Sequence, residues 1–245
     1  MRFLNMEKKY DIVIYNGMLL DGAGNPYVRK DLAISSEKIE KIGMISPEEG
    51  RLSIDAAGKV VCPGFIDLHN HCDQGILPFP HAESSLLQGV TTSVVGNCGL
   101  SMAPVNLSRL DLLVKYNLPF LHPGYDYEWD WTTLREYYDK VQSKGMGQNL
   151  APLVGQGTLR VAVKGFNSSP ASANEMEEMK KLLEQAMEEG AFGLSTGLIY
   201  PPGSFTETTE LIELAGVLKN YGGIYVSHVR NESGQLIESV DEAIA

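Results

Sequence analysis

The sequence predicts an α/β fold in two parts, a β-rich segment over residues 1–62 and a series of strand–loop–helix units over residues 63–245. Two observations predict it. No helical periodicity appears before Pro63, and beyond it short apolar or β-branched runs alternate with amphipathic helices. That alternation favours a parallel sheet or barrel. A complete eight-unit barrel takes about 250 residues, whereas roughly 180 are spent here on five units, so only the first five are expected.

In the first segment, Asp11–Asn16, Lys30–Ile34, Lys38–Gly43, Leu52–Asp55 and Val60–Cys62 read as short strands, with Asp21–Pro26 and Ala57–Lys59 as turns. Beyond Pro63, strands are expected at Phe65–His69, Thr91–Val95, Asn149–Val154, Phe192–Thr196 and Gly223–His228. A short helix is expected near Glu83–Gln88. Thr133 and Glu136 form a capping box opening a helix toward Lys144, which Gly145 ends. Ala173–Glu189 places Met176, Met179, Leu182, Leu183, Ala186 and Met187 on one face, a stripe read as core packing rather than a cofactor box. Thr208–Tyr221 is a further helix, and Gln235 opens a last one with Leu236, Val240 and Ile244 at i, i+4 and i+8. The stretch Pro104–Trp131, rich in Pro, Tyr and Trp, is long for a plain connection and is a candidate lid or binding insertion.

Composition narrows the function. The 245 residues carry 20 Lys+Arg against 31 Asp+Glu, a formal net charge of −11. Such a balance disfavours general nucleic-acid or anionic-membrane binding, which needs clustered cations. No apolar run approaches a membrane span, and Met1–Lys9 turns charged before a signal-peptide stretch could form. Three scattered cysteines make no disulfide framework. The expectation is a reduced, cytoplasmic globular protein.

The candidate chemistry gathers at strand ends. In a strand, His69 and His71 at i and i+2 point the same way, and two converging imidazoles suit zinc or another borderline divalent ion. Cys98, in Gly-Asn-Cys-Gly just past the second strand, offers a thiolate to the same end of the sheet. His228 closes the fifth strand and could reach the same cavity. Arg230 suits a substrate carboxylate, with a rim salt bridge to Glu232 as an equal alternative. Tyr200 suits a substrate carbonyl or a pocket wall, with packing of an aromatic loop at least as good a reading. Gly155–Arg160 lacks the ending of a phosphate loop and reads as a tight loop on the active-site side. Cys62 and Cys72 read as bystanders, and His81 and His122 as loop residues outside the site.

The run IDAAGKVVCPGFIDLHNH over Ile54–His71 resembles the start of the barrel of the amidohydrolase superfamily. More narrowly, VTTSVVGNCGLS, GQGTLR, GAFGLSTGLIYPPG and VSHVRNES together resemble the N-terminal half of the D-aminoacylase (N-acyl-D-amino-acid deacylase) family. The resemblance implies a metal-dependent-hydrolase barrel of TIM type, of which the first five βα units are here. The N-terminal β segment would be half of a composite β-sandwich. It implies one or two zinc ions, with His69 and His71 ligating one metal, Cys98 as bridging or tight-site thiolate, and His228 on the tighter zinc. The substrate would be a small N-acyl amino acid. A further histidine and the general-base aspartate would fall beyond Ala245, so the 245-residue chain is expected to be inactive alone. A half-barrel that associates with itself or with a complementary C-terminal chain is the alternative from another class. Hydantoinases and dihydroorotases bridge their metals with a barrel lysine. The fourth strand, Phe192–Gly197, has none, which favours the deacylase pattern over a cyclic-amide hydrolase.

Overall fold

The computed structural model describes residues 8–245, so the expectation for the run beginning at Met1 falls almost wholly outside the described residues. The chain divides between Gly64 and Phe65 into two compact units.

Among its described residues the first unit is β apart from one 3-10 turn at Pro47–Glu49. Its strands are β1 (Tyr10–Tyr15), β2 (Met18–Leu19), β3 (Val28–Arg29), β4 (Asp31–Ser35), β5 (Lys38–Gly43), β6 (Gly50–Asp55) and β7 (Val60–Val61). They form one sheet in the order β5-β4-β1-β6 and another in the order β3-β2-β7. Ser36 and Glu37, with φ of 48° and 66°, make the two-residue turn between β4 and β5, the geometry that matches strand twist in a hairpin. Asp21 closes the loop between β2 and β3, its carboxylate accepting from Ala23 N–H at 2.8 Å and from the Asn25 amide at 2.7 Å. The fully packed cluster is small, Tyr10, Val13, Ala33 and Ile45, and Ile39, Ile42, Leu52 and Ile54 stay exposed.

The second unit is built on five parallel strands, β8 (Phe65–Asp67), β9 (Val90–Val95), β10 (Asn149–Gly155), β11 (Gly193–Gly197) and β12 (Ile224–His228), in sequential order across one sheet. Because every neighbouring pair is parallel, all five C-terminal ends lie along one edge, where loops of α/β sheets build their sites. Eight helices accompany the strands: α1 (Cys72–Gly75), α2 (Glu83–Leu86), α3 (Leu110–Asn117), α4 (Leu134–Ser143), α5 (Gln156–Lys164), α6 (Ala173–Glu188), α7 (Thr208–Leu218) and α8 (Leu236–Ile244). The capping box at α4 forms as read from the sequence, Thr133 Oγ1 accepting from Glu136 N–H while the Glu136 carboxylate accepts from Thr133 N–H at 3.1 Å. Met176, Met179, Leu183, Ala186 and Met187 of α6 enter one core with Leu214 and Val217 of α7 and Val161 of α5. No helix among the described residues is long and apolar enough to cross a membrane.

Two expectations need correction. Gly155–Arg160 is not a loop: α5 starts directly after β10, and all nine of its residues are buried. Its glycines serve close approach, since a Cβ on Gly157 would stand 2.0 Å from the Tyr116 hydroxyl and one on Gly155 2.4 Å from the Gly99 carbonyl oxygen. The first barrel strand stops at Asp67, two residues short of His69. Asp67 itself ends it, its carboxylate accepting from His69 N–H at 3.1 Å and from the Asn70 amide at 2.8 Å, an Asx turn in place of the next ladder pair. Leu236, Val240 and Ile244 share one face of α8, and that face is exposed. The 104–131 segment contains α3 and is anchored by aromatic side chains. Trp131 Nε1 donates to the Met102 carbonyl at 2.8 Å, the Tyr127 hydroxyl donates to the Gln74 carbonyl at 2.7 Å, and the Trp129 and Trp131 rings stack 4.8 Å apart.

Candidate metal centre

The loops that leave β8 and β9 bring His69, His71 and Cys98 together, with one donor atom from each lying within 4.8 Å of the others. The two imidazoles converge although neither lies in a strand. Asn70, between them, donates to Asp67 and to Ser93 Oγ at 2.9 Å and accepts from Cys72 N–H at 3.0 Å, which fixes the turn that aims both rings. His69 Nε2 is 3.1 Å from Cys98 Sγ. The His71 ring stacks on Phe120 with centroids 4.3 Å apart. Burial and the neighbouring imidazoles hold the His71 pKa down at about 4, so near neutral pH the ring is uncharged and has a lone pair to give. Burial pushes the Cys98 thiol up, so in this pocket the thiolate needs a cation beside it.

These three open onto a cavity of about 690 Å³, within the range of small-molecule sites. Leu100, Tyr116, Phe120, Phe166 and Pro201 make its walls largely apolar, and Lys115 and Glu232 bring one basic and one acidic side chain to its lining. His228 and Tyr200 line the same cavity, their rings edge to face at 5.5 Å. His228 Nε2 sits 3.3 Å from a Glu232 carboxylate oxygen without hydrogen-bond geometry and has no hydrogen-bond partner. It stands outside the three-donor cluster.

Tyr200 stands on the cavity wall, one of the places expected for it, whereas Arg230 is not among the residues that line the cavity. The Tyr200 hydroxyl donates to the Cys98 carbonyl at 2.6 Å, so it is engaged by the thiol-bearing turn. Arg230 makes a paired contact with the Glu242 carboxylate of α8, at 2.8 and 2.9 Å, and also donates to the Thr206 carbonyl at 2.9 Å. Its charge is matched there, by Glu242 and not by Glu232. Cys72 is pushed up to about 12 by burial and is inert as a nucleophile. Sequence reasoning missed Ser195, Asn97, Tyr116 and Phe120. Ser195 is an ordinary polar residue whose partners lie far away in the chain, Asn97 donates to the Val94 carbonyl at 2.9 Å and to the Asn70 carbonyl at 3.3 Å, and Asp67-x-His69, an Asx-turn spacing, carried a local signal.

The donors fit a metal. Two buried imidazole nitrogens, His71 Nδ1 and His228 Nε2, have no hydrogen-bond partner, which is costly unless something else takes the lone pair or proton. Two imidazoles and a thiol are the mixed N/S donor set that suits zinc and its neighbours.

Comparison with known proteins agrees with the geometry. Residues 53–200 match the amidohydrolase family. An N-acyl-D-glutamate deacylase of Alcaligenes xylosoxydans xylosoxydans is 37% identical over 243 residues, 98% of this chain and 48% of that protein. A D-aminoacylase of the same organism is 36% identical, covering 95% of this chain and 47% of the relative. The crystal structure of an N-acyl-D-glutamate deacylase from Bordetella bronchiseptica, complexed with zinc and a phosphonate inhibitor that mimics the tetrahedral intermediate, superposes with a TM-score of 0.86 at 34% identity. The match covers 96% of this chain and 48% of that one. The chain thus spans about half the length of the relatives it matches.

Proposed function

Because the chain belongs to the amidohydrolase family and corresponds to the N-terminal half of its D-aminoacylases, we propose that it forms the metal-binding part of a zinc-dependent N-acyl-D-amino-acid deacylase. The observation that carries the reading is the convergence of His69, His71 and Cys98 at the C-terminal edge of a parallel sheet. His228, on the wall of the same cavity, completes the ligand set in this reading, and one or two zinc ions are held. A bound zinc supplies Lewis-acid polarisation of the amide carbonyl and a water acidic enough to attack it near neutral pH.

The chain's own residues do the rest. Asp67 and Asn70 orient the two imidazoles, and neutral His71 presents a free lone pair. Phe120, Tyr116 and Phe166 exclude bulk water from one side of the substrate, while Lys115 is the cation nearest to hand for a substrate carboxylate. The donor cluster contains no carboxylate, so the proton acceptor comes from outside it, in keeping with the aspartate that the family resemblance implies. The edge strands β8 and β12 each have one partner, and Phe65, Ile66, Leu68 and Ile224 are exposed. This supports a barrel completed by further strands, from a longer form of the polypeptide or from a complementary chain. The exposed Ile39, Ile42, Leu52 and Ile54 of the first unit likewise support a composite β-sandwich. Three free thiols suit a reducing cytoplasm.

The test is release of free amine from N-acetyl-D-glutamate, N-acetyl-D-leucine and their L-enantiomers. It is run on the zinc-loaded chain and on any longer polypeptide that carries it. The reading expects D-selective hydrolysis that Cys98→Ala abolishes. Hydrolysis of dihydrouracil instead, or no D-selective turnover in either form, would refute it.

A further inference from the structure

Three side chains, Ser195, Tyr116 and Tyr200, hold the turn that carries Cys98. Gly96, Cys98 and Gly99 all have positive φ, 72°, 56° and 74°, and for a cysteine that conformation is uncommon. Four backbone groups around the thiol, Gly96 C=O, Cys98 C=O, Gly99 N–H and Gly99 C=O, are tied to partners distant in sequence. Ser195, fully buried on β11, accepts from Gly99 N–H at 2.9 Å and donates to the Gly96 carbonyl through one hydroxyl. The Tyr200 hydroxyl takes the Cys98 carbonyl. The Tyr116 hydroxyl and Thr158 N–H share the Gly99 carbonyl at 3.1 and 3.2 Å. Gly197 leaves the room for this, since a Cβ there would stand 2.2 Å from the Cys98 carbonyl oxygen.

Two of these residues converge on the cysteine turn from outside it. Ser195 is in a strand whose ladder is complete on both sides, yet both hydrogen bonds of its hydroxyl go to the two peptides that bracket the cysteine. Tyr200 touches both the thiol-bearing turn and the His228 ring. A left-handed non-glycine residue persists only where its surroundings over-determine it. We propose that Ser195 and Tyr200 are positioning residues that hold the Cys98 turn in its left-handed form, presetting the thiol 3.1 Å from His69 Nε2 before a cation arrives. The proposal rests on the metal-centre reading above. It goes further in assigning the preorganisation of the soft ligand to two hydroxyls that do not themselves bind metal.

The experiment is a Co(II) titration of the metal-free chain, reading affinity and the thiolate-to-cobalt charge-transfer absorption, with unfolding midpoints recorded for every variant. Outer partners of metal ligands typically change affinity by about 10–100-fold. Folded Ser195→Ala and Tyr200→Phe are expected to bind Co(II) that much more weakly, with a diminished thiolate band. Ser195→Thr, which restores the hydroxyl, is expected to recover both. Met179→Ala, a destabilising change in the core of α6, is expected to lower the midpoint and leave both signals intact. If Ser195→Ala does not fold, Tyr200→Phe, which loses only a hydroxyl at the cavity wall, carries the test. Affinity within twofold of wild type and an unaltered band in the folded variants would overturn the proposal. A wild-type chain that binds Co(II) with no thiolate band would overturn the metal-centre reading, and the proposal with it.

Discussion

Replacing Glu210 by Ala should remove a large part of the stability of the second unit. Arg160 is fully buried and Glu210 nearly so, with Nη1 and Oε2 2.8 Å apart. Nη2 donates to the Asn167 and Ser169 carbonyls, and the second carboxylate oxygen accepts from Ala171 N–H at 2.7 Å. One pair therefore ties α5, the 165–172 connection and α7 together. Removing a single partner leaves a guanidinium in the core with no counter-charge, a change that costs about 3–5 kcal/mol in buried pairs. With a urea m-value of about 2 kcal/mol/M, the midpoint should fall by roughly 2 M. The assay is urea unfolding followed by the fluorescence of Trp129 and Trp131. The double variant Arg160→Met, Glu210→Leu should regain most of the loss, because apolar replacement removes both desolvated charges. The exposed Lys180–Glu213 pair is the comparison, since surface pairs contribute about 0–1 kcal/mol. A loss for Glu210→Ala no larger than that for Glu213→Ala would refute the reasoning.

Two other outcomes follow from the same contacts. Gly197→Ala forces a methyl into the Cys98 carbonyl oxygen and the Tyr200 hydroxyl, at 2.2 and 2.4 Å. It should lower stability by about 1–3 kcal/mol and reduce zinc retention after gel filtration, measured by elemental analysis. Glu242 is held below its ordinary value of 4.5, first by the Arg230 hydrogen bonds, and Thr208 adds to this. A depressed carboxylate stabilises the folded state fully above its unfolded pKa and loses that contribution as pH falls through the folded one. Hydrogen exchange in α8 should therefore accelerate below about pH 4.5, and Glu242→Gln should remove that pH dependence.

How far the sequence could be read depends on the range of the interaction involved. The strand–helix rhythm, the Thr133–Glu136 capping box and the methionine stripe of α6 are local periodicities, and the structure repeats them. The deacylase resemblance also rested on contiguous motifs and holds. By contrast, α5 has glycines at its start and no side-chain cap. Nothing local marks it as a helix, because its first turn is shaped by packing against the Cys98 turn. The engagement of Arg230 by Glu242 rather than Glu232 was not legible. Spacing of two and spacing of twelve look equally available until α8 folds back. Ser195 reads as a plain strand residue, and only the chain reversal that brings β11 beside the turn after β9 shows what its hydroxyl holds.

The central claim is that His69, His71 and Cys98 form a metal site with a sulfur ligand. Zinc-edge X-ray absorption of the loaded chain tests it most directly. The account predicts a sulfur shell near about 2.3 Å beside nitrogen scatterers, lost in Cys98→Ala while imidazole scattering persists. A spectrum of nitrogen and oxygen neighbours alone, unchanged by Cys98→Ala, would contradict it.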